Sequence, residues 1–317
     1  MKDANIQLLR ALAIIAVVFI HTCPPGMEQV IFRPFINFAV PLFLFLSGYL
    51  TTPRTDEWLS FYKKRVLRVL IPYIAWTILY TLPSETAFPY IYNFLTSKAC
   101  YTLYFILVYI QLTLLTPLIF KLLKSSYSMA GWFITPIFLL VFKYPALLTD
   151  FEYPSKVNLL LSCSCFYHFI YYYLGLALRN SEIKPRIKLR NITICLIIAI
   201  LLQMGEGYYL YTKNITNCGT AIKLSSMATN MCFLALFYDY LTRNRSHPIK
   251  NIFITLGNLS FGIYLIHPML LRYFDNTIYS QLPFVINTLV ILSLSLLLTL
   301  AASRFFPKKL ATYLGFH

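Results

Sequence analysis

Apolar residues run through this chain in long stretches separated by short polar breaks. Each stretch reaches the about 17–25 residues that a helix rising about 1.5 Å per residue needs to cross hydrocarbon. Ten runs predict ten helices, at about 6–23, 32–52, 66–83, 100–120, 131–148, 158–178, 192–211, 221–241, 252–271 and 284–303. Several carry an internal proline, including Pro41, Pro72, Pro117 and Pro136. Pro41 predicts a kink in the second run, because it has no N–H to close the preceding turn. The run from Gly131 to Leu148 is the least regular, since Lys143 and Pro145 interrupt it. No polar stretch is long enough for a separate soluble domain, so residues 1–317 read as one transmembrane domain of the all-α class.

Composition agrees with that pattern. Hydrophobic residues make up 58% of the chain and charged residues only 12%, which excludes an ordinary soluble domain and fits a polytopic membrane protein. The sequence has a formal net charge of +16, and its distribution is more telling than its size. With a cytoplasmic amino terminus, Arg33, Lys98, Lys143, Lys156, Lys213, Lys223 and Arg272 fall outside, and the other 20 of the 27 basic residues fall inside. The positive-inside rule favours that orientation, with both termini cytoplasmic. The charge is then explained by topology and by attraction to anionic lipid headgroups, and no nucleic-acid partner is expected.

The first run lacks a small-residue cleavage site and is followed by many others, so it reads as a retained helix and not as a cleaved signal. The seven cysteines lie in or beside apolar segments without paired metal spacing. They read as packing residues, and no metal site is expected. The Asn-x-Ser/Thr matches at Asn191, Asn214 and Asn258 carry little weight.

Candidate chemistry begins in the first run, where His21 follows Arg10 by eleven residues. Eleven residues make almost three turns and about 16 Å of rise, so the two side chains share one helix face. Ionisable groups cost on the order of 2.5–3.5 kcal/mol each near the centre of a membrane helix on insertion scales. Two on one face therefore point to a polar path inside the bundle. Each also has a plain explanation: Arg10 can snorkel to the inner headgroups, and His21 can sit at the outer interface.

Two further clusters lie toward the predicted inner side. The second run ends in Ser47-Gly48-Tyr49, which gathers a hydroxyl, a bare backbone and a phenol; close helix packing at Gly48 is its simplest role. The third opens with Arg65 and Arg68, neighbours at i and i+3, whose two guanidinium forks suit a diphosphate as well as they suit a membrane anchor.

Four motifs in order resemble membrane acyltransferase family 3: Arg10-x10-His21, the Pro41–Leu50 stretch PLFLFLSGYL, Arg65-x2-Arg68-x3-Pro72-Tyr73, and Gly262-Ile-Tyr-Leu-Ile-His267-Pro268. Within that family the chain is most similar to stand-alone O-acetyltransferases of bacterial surface polysaccharides such as O-antigen. The absence of a hydrolase-like domain from these residues makes peptidoglycan a weaker expectation.

The resemblance implies a multi-pass enzyme of the bacterial inner membrane. It would move an acetyl group from cytoplasmic acetyl-CoA, as co-substrate, to a hydroxyl of a surface glycan, free or lipid-linked, with no tightly bound cofactor. On this basis His21 is the expected general base. Arg10, Arg65 and Arg68, with Ser47 and Tyr49, form the expected donor-binding set. Asp150 and Glu152 are candidates to orient His21 or bind sugar hydroxyls, and equally read as solvated loop charges. His267 matches the pattern, and its place before Pro268 predicts a structural hydrogen bond. His168, His247 and His317 have no supporting constellation.

The competing class is a transporter or flippase for lipid-linked saccharides, also polytopic and basic inside, which an inverted repeat would support. None is evident. A polysaccharide polymerase would be expected to carry a larger outer loop than this chain has.

Overall fold

In the computed structural model, residues 4–52, 57–82, 90–149, 151–180, 188–242, 251–274 and 283–316 are described. They are helical almost throughout, with no strand among them. The helices are α1 (Ala4–Thr22), α2 (Met27–Ile36), α3 (Ala39–Tyr49), α4 (Trp58–Thr81), α5 (Tyr90–Thr96), α6 (Tyr104–Lys124), α7 (Ala130–Phe138) and α8 (Tyr144–Leu148). They continue with α9 (Ser155–Ser162), α10 (Phe169–Asn180), α11 (Leu189–Thr212), α12 (Leu224–Thr242), α13 (Asn251–Phe274), α14 (Phe284–Phe305) and α15 (Lys308–Tyr313).

Seven helical stretches among the described residues are long and apolar enough to cross a membrane. α4 and α12 lie where two more were predicted but are less apolar. α11 shows why the apolarity reports on a bilayer. Ala199, Gln203, Gly207 and Leu210 are buried at helical spacing, whereas Ile194, Ile197, Ile198, Leu201 and Leu202 are exposed. The outward face is the greasier one, the reverse of a helix on a soluble protein.

Prolines place the irregularities. The second predicted span is interrupted at Asn37 and Phe38, one turn before Pro41, whose missing N–H would have bonded the Asn37 carbonyl. The irregular fifth span runs without a break from Ala130 to Leu148, but passes through a π-turn at Leu139–Lys143. Pro145 leaves the Val141 carbonyl without its usual donor, and the Tyr153 hydroxyl supplies one at 3.1 Å.

One expectation is corrected. Residues 158–178 do not form a single helix. The chain breaks at Cys163 and Ser164, makes a 3₁₀ turn over Cys165–Tyr167, and resumes as α10. Gln111 on α6 holds the break open, donating to the Cys163 carbonyl at 3.0 Å and accepting from the Cys165 N–H at 3.0 Å. An apolar run alone cannot reveal that clamp.

Contacts divide the chain into two compact units, Met1–Leu46 with Ser181–Thr299 and Ser47–Asn180 with Leu300–His317. In the first, α1 packs along α13, and α11 packs against α12 and α2. The α1–α13 contact depends on Gly257, where an added methyl group would collide with the Gln7 backbone. Gly257→Ala is expected to cost about 1–3 kcal/mol by overpacking and to lower the melting temperature of the detergent-solubilised protein. A melting curve superimposable on wild type would refute this contact as a determinant of stability. In the second unit, α4 packs against α6, and α10 against α7. Gly48 meets the Tyr172 carbonyl and Leu176 N of α10 so closely that a side chain would clash, so the Ser-Gly-Tyr motif does mark a close helix contact.

Candidate functional site

In the first unit, α1 is unbroken from Ala4 to Thr22, so Arg10 and His21 keep one face and the about 16 Å separation that regular helix geometry gives. Arg10 and His21 are both partly buried. Beyond α1, the Cys23–Gly26 segment turns the chain, with Gly26 at φ 101°, a conformation that glycine adopts without steric cost. α2 then begins at Met27 and brings Arg33 beside Cys23 and within electrostatic reach of His21.

The carboxyl end of α1 is anchored to α14 by the Thr22 and Thr288 hydroxyls, which share a hydrogen bond, and by an edge-on contact of Phe19 with Phe284 at 5.8 Å. α13 packs along the length of α1. Its fully buried His267 lies with its ring centroid 5.4 Å from that of His21, the planes tilted by 32°. Two imidazoles separated by 246 positions in sequence thus face each other. The predicted structural hydrogen bond of His267 is present, from Nδ1 to the Ile263 carbonyl at 3.1 Å.

A second polar group joins α2, α11 and α12. The loop before α12 is tied to α2 by Gly219 N–H donating to Gln29 Oε1 at 3.2 Å and by Asn37 Nδ2 donating to the Gly219 carbonyl at 3.1 Å. Lys223, 1% exposed, donates to the Cys218 carbonyl at 3.1 Å and feels the carboxylate of Glu206, which accepts a hydrogen bond from Ser225. One turn along α11, the Gln203 amide is buried with neither its nitrogen nor its oxygen hydrogen-bonded among the described residues. The sequence marks Lys223 only as an outer charge and does not single out Glu206 or Gln203. The only sequence signal was polarity inside apolar runs.

In the second unit, the arginine motif sits about two turns into α4. Arg65 caps the end of α3: Nη1 donates to Thr51 Oγ1 at 2.6 Å and to the Ser47 carbonyl at 3.4 Å, and Nη2 donates to the Leu50 carbonyl at 2.8 Å. A cation at a helix carboxyl end meets the negative end of its dipole, so this placement is favourable in itself. Arg68 is exposed one turn on. Tyr49 lies under the Arg179 guanidinium, whose carbon is 6.0 Å from the ring centroid, which adds an exposed cation that sequence reasoning had counted only as an inner charge. Ser47, Tyr49, Arg65 and Arg179 are thus gathered at the end of α3. Glu152 is exposed in the same unit, while Asp150, His247 and His317 lie outside the described residues. His168 is buried on the second unit beside Tyr104 and Tyr171.

The four motifs therefore fold into two polar centres, an imidazole pair in one unit and an arginine-capped helix end in the other. A family pattern described as an acyltransferase domain matches residues 3–304, nearly the whole chain. The protein belongs to membrane acyltransferase family 3. No curated protein and no solved structure matches it at a significant level. Family membership decides between the two classes left open by the sequence in favour of the enzyme. With its apolar helices, the chain is a multi-pass membrane acyltransferase.

All seven cysteines of this acyltransferase are free thiols, and five are buried. None carries a step in the chemistry below.

Proposed function

We propose that this acyltransferase is an O-acetyltransferase, taking the acetyl group of cytoplasmic acetyl-CoA and esterifying a hydroxyl of a bacterial surface glycan beyond the inner membrane. The observation that carries this reading is the pairing of His21, on the helix that also bears Arg10, with His267 of α13. A hydroxyl is a weak nucleophile until a base takes its proton, and imidazole, with an unperturbed pKa near about 6.5, is suited to that task. As the hydroxyl oxygen attacks the thioester carbonyl, its proton passes to His21. The tetrahedral adduct then expels the CoA thiolate, the ester forms, and the proton leaves with CoA.

The donor-binding set is Arg10, Arg65, Arg68, Ser47 and Tyr49, to which Arg179 is added beside Tyr49, and paired guanidinium forks suit the phosphates of CoA. An extended pantetheine arm is of the same order of length as the rise from Arg10 to His21. In this reading ten spans place both termini in the cytoplasm, as the 20-to-7 division of basic residues favours. Transfer is direct, in a ternary complex; an acetylated enzyme trapped without acceptor would instead establish a ping-pong route.

The test is purified protein with labelled acetyl-CoA and the base-deacetylated surface glycan of the cells that encode it. Base-labile label on the glycan is the expected result. Label that stays with CoA, or is released only as free acetate, overturns the reading. Arg179→Ala is expected to raise the KM for acetyl-CoA about ten-fold with little change in kcat, from the loss of one charge-assisted phosphate contact. It is a cleaner probe than Arg65, which also holds the Ser47–Thr51 backbone. An unchanged donor KM would remove Arg179 from the donor site.

A further inference from the structure

His267 occupies an unusual position in α13. The residue after it is Pro268, which has no N–H and so leaves the Tyr264 carbonyl without its intrahelical donor. The imidazole folds back over this opened turn, against the carbonyls of Ile263 and Tyr264. A carbonyl can only accept, so the 3.1 Å bond to Ile263 puts the proton on Nδ1. In the neutral ring Nε2 is then a bare acceptor. It is buried and has no hydrogen-bond partner among the described residues, although native interiors pair nearly all such atoms. Its ring lies beside His21, with Arg33 also within electrostatic reach of that histidine. A fixed tautomer, a lone pair held dry and a neighbouring candidate base make up an arrangement suited to receive a hydroxyl.

We propose that His267 is an acceptor-binding residue: its Nε2 takes a hydrogen bond from a hydroxyl of the incoming glycan and so presents the adjacent hydroxyl to His21. This rests on the O-acetyltransferase reading and extends it. The preferred acceptor carries two neighbouring hydroxyls, one held and one acylated, as a sugar ring does. The Nδ1 bond to Ile263 orients the ring, and Pro268 supplies the opened turn that the ring covers.

The two ring nitrogens can be separated by substitution. In His267→Asn the side-chain amide can still donate to the carbonyl four residues back, as Asn180 does to Leu176 at 2.7 Å in this protein, but nothing occupies the Nε2 position. In His267→Gln the longer side chain can bring its amide oxygen to that position. With labelled acetyl-CoA and the base-deacetylated glycan, His267→Asn is expected to raise the glycan KM about ten-fold or more while the acetyl-CoA KM stays within two-fold. His267→Gln is expected to recover part of that loss.

A residue that only closes the α13 turn would behave in the opposite order, with Asn close to wild type and Gln impaired, and that order overturns the proposal. So would equal changes in donor and acceptor KM. Should the Asn variant fail to accumulate, His267→Gln is compared with His267→Ala, and equal glycan KM values in those two overturn it as well. If the wild-type enzyme labels no glycan at all, the functional reading falls and this inference falls with it; if wild type labels and the variants match it, only the inference falls.

Discussion

His21→Ala is expected to lower kcat for acetyl transfer by a factor on the order of 10²–10⁴, the usual contribution of a positioned general base. Donor binding should stay close to wild type, because an imidazole that takes the acceptor's proton is not needed to hold the phosphates of CoA. The side chain is placed by α1, which is regular over its whole length and is anchored at its carboxyl end by Thr22 and Phe19. Truncating the ring leaves that anchoring intact, so the protein should accumulate normally. The decisive measurement is a turnover number with saturating donor, alongside CoA binding by calorimetry. A His21→Ala protein that turns over like wild type would end the base assignment, and a matched loss of CoA binding would move His21 into the donor site instead.

The second large effect is one of stability. Glu206→Ala takes away the carboxylate that acts on Lys223, a cation 1% exposed whose one described hydrogen bond runs to the Cys218 carbonyl. Glu206 is itself only partly buried, so losing it is expected to cost about 1–3 kcal/mol, as the buried ammonium of Lys223 is left with less compensation in a low-dielectric interior. That is a large fraction of the margin by which proteins stay folded. The expected outcome is a sharp fall in both abundance and melting temperature of the solubilised enzyme. Adding Lys223→Met to the same chain removes the stranded charge and should restore much of the loss, a coupling that a double-mutant cycle measures directly. Single and double variants that melt alike would show that the two groups do not depend on each other.

The two predictions probe features with different visibility in the sequence. His21 could be found because the relation that matters, eleven residues on one regular helix, is local and follows from helix period. Gly48 could be suspected for a similar reason, since a bare backbone in an apolar run signals close packing, and the clash with Tyr172 agrees. The kink expected from Pro41 is present, displaced to Asn37 and Phe38 because a proline disturbs the turn before it. Residues 158–178 misled for the converse reason. Apolarity predicts membership of a hydrophobic layer and is blind to Gln111, whose amide on α6 satisfies the interrupted backbone. Arg65 was legible as a cation at a helix start, but its bonds to the end of α3 required knowing which helix lay alongside.

Sequence alone determined the all-helical membrane character, the family and the placement of Arg10 and His21 on one face, because each depends on periodicity, composition or short spacing carried within a single segment. Tertiary structure decided the rest. It set His267 against His21, aimed Arg65 into a helix terminus, and buried Lys223 near Glu206. Such pairings are long-range: they are selected by how whole helices pack and by the cost of leaving polar atoms unsatisfied away from water, and no local pattern records either.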